Sequence, residues 1–196
     1  MSSVAEIRSY HQNLFAEKDS VFLDLETNGL EVTTDILEIG AIKYKAGQLG
    51  AGNLEPDEIF HAYIYFDGVP NMGAFEVNQL NPITLRTEGK QLAKVLADLR
   101  EFTRGTTVAG QNIIRFDMPI IGYRCKMHDI TLEHGELVDT LHLAKDIVRL
   151  PSYRLADLAR YFGMNYRPTH RAVDDVKATA ELFTKLIYPR AAGQLL

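Results

Sequence analysis

The chain has a single cysteine, Cys125, among 196 residues. One thiol excludes an internal disulfide and a zinc site built from cysteines. Long apolar runs are also missing, and none approaches the roughly 20 residues needed to cross a bilayer. The opening stretch, MSSVAEIRSYHQNLF, lacks the basic start and apolar block of a secretory signal. No internal repeat, low-complexity tract or linker divides the chain. Net positive charge is absent too: the formal charge is -5, so composition does not advertise a nucleic-acid binder. These absences describe one cytoplasmic globular domain with no membrane contact and a sizeable core.

The acidity is uneven. Residues 1–100 carry 8 basic and 15 acidic side chains, whereas residues 101–196 carry 13 and 11. Carboxylates that hold metal ions change the local field. Net charge therefore leaves an anionic partner open.

What the chain does contain is an orderly series of patterns. AEIRSYHQNLFAEK reads as a short amphipathic helix. SVFLDLET, DILEIGAIKYKAG and DEIFHAYIYF read as three strands, the last two divided by the turn-like GQLGAGNLEPD. Their short connections predict an antiparallel meander. KQLAKVLADLREFTRG has helical spacing and a glycine stop. TTVAGQN reads as a strand, and DMPIIGYRCKMH as a helix with Pro119 in its first turn. ELVDTLHLAKDIV joins a short strand to a helix, and RLADLARYFG and AVDDVKATAELFTKLIY are two further helices. A meander followed by alternating helices and strands predicts an α/β fold with a mixed sheet flanked by helices.

One strand breaks the rule that charges avoid buried strands. In FLDLETNGL, Asp24 and Glu26 alternate with Leu23 and Leu25, so both carboxylates share one face. Like charges so close repel unless a cation lies between them. A half-exposed edge strand with solvated acids explains the pattern about as well. Two later segments add acids. GQNIIRFD places Asn112 after a strand and Asp117 at a helix start, where a capping role is equally natural. THRAVDD places His170 before the last helix, with Asp174 and Asp175 in its first turn, where the macrodipole favours acids.

Taken in order, these segments resemble the DEDDh (DnaQ-like) 3'-5' exonucleases, similar to the epsilon subunit of bacterial DNA polymerase III. Asp24 and Glu26 match the D-x-E motif, Asn112, Phe116 and Asp117 the second motif, and His170 and Asp175 the third. Spacing selects Asp175, with Asp174 as the fallback. The resemblance spans roughly residues 20–188 and includes ILEIGAIKY, VDTLHLAKDIV and YRLADLARYFGM; LPSYRLADL also looks like a segment of single-strand-specific exodeoxyribonucleases. It implies a ribonuclease H-like fold with a central mixed five-stranded sheet flanked by helices. The exonuclease domain would occupy residues 20–190, behind a helical extension at residues 1–19.

The resemblance also implies a chemistry. Two divalent ions, Mg²⁺ or Mn²⁺, would be held by Asp24, Glu26, Asp117 and Asp175, since such hard ions take oxygen ligands. His170 would be the general base. Thr27, Asn28, Gly29, Leu30, Asn112 and Phe116 would hold the terminal nucleotide, with core packing the alternative for Leu30 and Phe116. Arg115, Arg124, Arg167 and Arg171 are candidate phosphate contacts, none singled out.

The expected partners are nucleic acid 3' ends, DNA before RNA, and a DNA polymerase or other replication or repair protein. An exoribonuclease and a proofreading subunit acting in complex are the competing readings. The tail AAGQLL is either a docking peptide or a frayed end. Two positions depart from the family pattern: Gln111 where many members have His, and Asn28 where many have Thr.

Overall fold

A computed structural model describes residues 3–189. The tail AAGQLL lies outside them. Five strands form one mixed sheet in the order β3-β2-β1-β4-β5. β1 (Ser20–Thr27), β2 (Ile36–Tyr44) and β3 (Glu58–Tyr63) make the predicted antiparallel meander. β4 (Thr107–Gly110) pairs with β1 in parallel, and β5 (Leu137–Asp139) pairs with β4 in parallel. β1 is therefore central. The edge-strand reading of its two acids fails.

Alternation along β1 sorts its side chains between two cores. Val21, Leu23 and Leu25 pack with Val95, Leu96 and Leu99 of α4 (Leu92–Thr103) and Ile120, Ile121 and Cys125 of α5 (Asp117–Met127). Phe22 faces the other way, onto Phe183 of α8 (Ala172–Ile187) and Phe15 of α1 (Val4–Glu17). Asp24 and Glu26 lie on this same α8 side. α6 (Thr140–Ile147) and α7 (Leu155–Tyr161) complete that layer.

α1 opens with a capping box, Ser3 with Glu6, as its sequence allows. It is tied to the far end of α8: Arg8 and Gln12 donate to the carbonyls of Leu186 and Ile187. Its Phe15 ring sits 4.1 Å from that of Phe183.

Two helices are not announced by apolar spacing, α2 (Met72–Asn78) and α3 (Pro82–Thr87). Each starts at an asparagine whose side chain accepts from a backbone N–H of the first turn, Asn71 and Asn81. Pro82 follows Asn81 at a position where its missing N–H costs nothing.

Candidate active site

The site lies where the parallel strands end. β1 pairs with β4 only as far as Phe22 opposite Ala109. Past that point β1 runs on beside β2 alone, and the Leu25 N–H has no strand partner. The Asp117 carboxylate accepts it at 3.1 Å. Phe116, not Asp117, is the N-cap of α5, and Asp117 is buried. Crevices at the carboxyl ends of parallel strands are where α/β folds bind ligands.

The turn that delivers Asp117 is built by Asn112 and Gln111, which the motifs pick out, and by Asp139, which they do not. Asn112 adopts a left-handed φ of 60°, a conformation asparagine tolerates. Its carbonyl accepts from the N–H groups of Arg115 and Phe116. The buried Asp139 carboxylate accepts from the N–H groups of Asn112 and Ile114, and also from Leu141 at the start of α6. Gln111 replaces the expected His by bridging: it accepts from the Thr140 hydroxyl and donates to the Tyr153 carbonyl.

The third motif comes from the start of α8. Gly40 on β2 stands opposite Asp24. A Cβ there would lie 2.6 Å from backbone atoms of Ala172 and Val173. Glycine thus lets the helix start press against the sheet and carries Asp175 to the acids. The Asp175 carboxylate accepts from the N–H groups of Thr169 and His170 at 2.8 and 3.2 Å. Asp174 turns outward to the Thr169 hydroxyl and Lys177. Asp175, the residue that spacing selects, is the one whose carboxylate lies near Glu26 and His170.

Ligand atoms of Glu26, Asp175 and His170 all lie within 4.8 Å of one another. Asp24 and Asp117 join the same electrostatic neighbourhood. Burial, then the nearby charges of Asp117, Asp175 and Glu26, push the Asp24 carboxyl well above its ordinary range. Burial, with Asp175, Glu38 and Asp117, pushes Glu26 up to about 8. Burial also raises Asp117 and Asp175. Four carboxyls pushed up mainly by burial cannot ionise together without a compensating cation. Divalent cations with a preference for oxygen fit this donor set, and Mg²⁺ or Mn²⁺ suits it better than a soft metal.

Beside the acids opens a cavity of about 370 Å³ lined by Leu25, Glu26, Thr27, Gly29, Leu30, Phe116 and, from α2 and its N-cap, Asn71, Gly73, Ala74, Val77 and Asn78. A bulge between Glu26 and Thr27 ends the ladder and turns the chain into this wall. The Thr27 hydroxyl donates to the Gly29 carbonyl. Leu30 is 84% exposed, which excludes core packing. Phe116 does both jobs, packing partly on the α4–α5 core while lining the cavity. Asn28 is not in the lining. It donates to the Val69 carbonyl and accepts from the Asn71 N–H, fastening the turn to the start of α2. Asn112 shapes its turn and does not line the cavity. α2 was missed from sequence, although Asn71 as an N-cap was a readable signal.

Strand order gives a mixed α/β sheet of ribonuclease H-like type with a cluster of acids at the strand end. A family model for an exonuclease, the RNase T type, matches residues 21–183. The chain thus belongs to the DnaQ-like exonucleases. Relatives include the PolC-type DNA polymerase III of Caldanaerobacter subterraneus, 31% identical over 87% of this chain but only 12% of that protein. The DNA polymerase III epsilon subunit of Treponema pallidum is 30% identical over 84% of this chain and 74% of the subunit. E. coli exonuclease I, solved in complex with a dT13 oligonucleotide, shares the fold: TM-score 0.74 at 23% identity, covering 89% of this chain and 42% of that one.

Proposed function

We propose that the protein hydrolyses phosphodiester bonds from the 3' end of single-stranded DNA and releases nucleoside 5'-monophosphates. One observation carries this reading. Asp24, Glu26, Asp117 and Asp175 share one electrostatic neighbourhood at the strand end, and Glu26 also lines an apolar cavity walled by Leu30 and α2. A terminal nucleotide needs an apolar surface for its base beside the acids that act on its phosphate, and this cavity supplies one.

Asp24, Glu26, Asp117 and Asp175 would hold the cations. When bound, two divalent ions lower the pKa of water and stabilise charge on the leaving oxygen. His170 takes the proton from the attacking water as its oxygen bonds to phosphorus. The P–O3' bond breaks and its electron pair stays on O3', which takes a proton from solvent, leaving a 3'-hydroxyl on the shortened strand and a 5'-phosphate on the released nucleotide. Leu30 and Phe116 contact sugar and base without reading base identity, as stepwise degradation requires. Thr27 and the backbone of the turn at Asn28 and Gly29 bound the same wall.

Polymerase III relatives also support a polymerase partner. Size-exclusion chromatography with a replicative polymerase subunit tests that part.

The test of direction uses 5'-labelled linear, 3'-blocked linear and circular single strands with Mg²⁺. Stepwise shortening of the free linear strand alone, with mononucleotide product, is expected. Rapid cutting of the circle would make the protein an endonuclease.

A further inference from the structure

A fifth carboxylate lies beside the four acids and is treated differently. Glu38 on β2 pairs with Glu26 on β1 and is 1% exposed. Its oxygens are fully engaged. Arg171 donates to both of them at 3.2 Å in a forked pair. His61 on β3 meets one of them at 2.7 Å. Arg171 also donates to the Tyr63 hydroxyl, and its guanidinium lies 5.5 Å from the Tyr63 ring centre. Burial would raise the Glu38 carboxyl, but the hydrogen bonds from His61 and Arg171 hold it below its ordinary value. Glu38 is thus an anchored anion, and no step of hydrolysis uses it.

The anchor falls next to the residue that most needs one. Arg171 is the N-cap of α8 and follows His170 directly. Its carbonyl accepts from the N–H groups of Asp174 and Asp175 at 2.9 and 3.0 Å. His170 itself has a left-handed φ of 57°. A non-glycine residue keeps such a conformation only when its surroundings over-determine it. Here they do so from both sides. The Asp175 carboxylate holds the His170 N–H, and the Glu38 fork holds the next residue. The imidazole stays exposed and within reach of Glu26 and Asp175. A guanidinium fork fixes both distance and plane, which a single ammonium cannot do.

We propose that Arg171 is a positioning residue: the Glu38–Arg171 clamp, closed by His61 and Tyr63, fixes the backbone from which His170 reaches the acids. This rests on His170 being the general base.

A double-mutant cycle in turnover tests it, on a linear single strand with saturating Mg²⁺. The proteins are wild type, Arg171→Ala, His170→Ala and the double variant, with Glu38→Gln as a second route to the same break. Arg171→Ala leaves Glu38 its His61 partner, so the fold should survive, and melting curves check this. His170→Ala should lower kcat about 10²–10⁴-fold. Arg171→Ala should lower kcat about 10–100-fold, the scale found for groups that orient a functional side chain. It should leave KM and Mn²⁺ binding by calorimetry near wild type. In the His170→Ala background it should cost nothing further.

An equal loss in both backgrounds would overturn the proposal, because Arg171 would then act on something other than His170. A rise in KM with kcat intact would make Arg171 a phosphate contact instead. Unchanged kcat in Arg171→Ala would also overturn it. If His170→Ala alone keeps the wild-type rate, it is the base assignment that fails.

Discussion

The acids and the apolar wall share a boundary at Glu26 and Thr27, yet they are built in opposite ways. Asp24, Asp117 and Asp175 come from three elements, and each is fixed: one on the central strand, one on the Leu25 N–H, one on two loop N–H groups. The wall comes from a turn and a seven-residue helix. It leaves apolar side chains in water, with Leu30 84% exposed, Met72 69% and Val77 51%. On the proposed function, the difference follows from what each half would have to do. Cation ligands act only at set distances, so their carriers must be rigid and their mutual repulsion must be tolerated. A surface that accepts any base needs only a tolerant apolar contact. The strained half is therefore buried and the tolerant half is exposed.

The sharpest way to break the comparison is to remove a ligand. Asp24→Ala should abolish hydrolysis at every Mg²⁺ or Mn²⁺ concentration, while binding of a linear oligonucleotide changes little. Near-normal turnover in that variant would show that the acids are not the reactive half.

The two halves also differed in legibility. Asp24 and Glu26 were conspicuous because charges in an apolar strand need an explanation. The order of the later motifs then pointed to Asp117, His170 and Asp175, which the structure brings close to them. Among the described residues, all five strands and six of the eight helices followed from residue pattern together with turn, glycine and proline signals. α2 and α3 are too short to show a period, and their apolar side chains point partly outward. Asp139, Gly40 and Glu38 were missed for a different reason. Each acts through a close approach between distant segments, such as Gly40 under Ala172 and Val173, which no local pattern records. Asn28 and Asn112 were expected to touch substrate. In the structure the Asn28 side chain fastens the turn to the start of α2, and Asn112 shapes the Asp117 turn through its left-handed backbone, contacts that no local pattern records.

A smaller effect is expected at the wall. Leu30→Ala and Val77→Ala each remove one apolar face of the cavity without touching the acids. Loss of a base contact costs about 1–3 kcal/mol, so KM should rise by about 5-fold to 150-fold with kcat nearly unchanged. Steady-state kinetics on a linear single strand reads both constants. A fall in kcat with KM intact would mean that the wall positions the reacting phosphate, and the division of labour would blur.

The smallest effect is on stability, and it separates the halves without any substrate. In EDTA the acids face one another uncompensated. Glu26 has its carboxyl raised to about 8 by burial first and then by Asp175, Glu38 and Asp117, and Asp24, Asp117 and Asp175 are raised as well. The unfolded chain releases the Glu26 proton near its ordinary value of 4.5. Between that value and about 8 the folded protein holds more protons than the unfolded one, so stability must fall as pH rises through this window. A cation that binds only the folded state opposes the fall, by about 2.7 kcal/mol at a hundredfold excess over its dissociation constant. For a chain of this size that is worth about 5–10 °C in Tm. Melting curves with EDTA and with Mg²⁺ should therefore diverge from pH 5 to pH 9. Glu26→Gln should flatten the EDTA curve in part, since three acids still titrate, and Val77→Ala should leave its slope unchanged. Parallel EDTA and Mg²⁺ curves would mean that the four carboxylates do not share a cation.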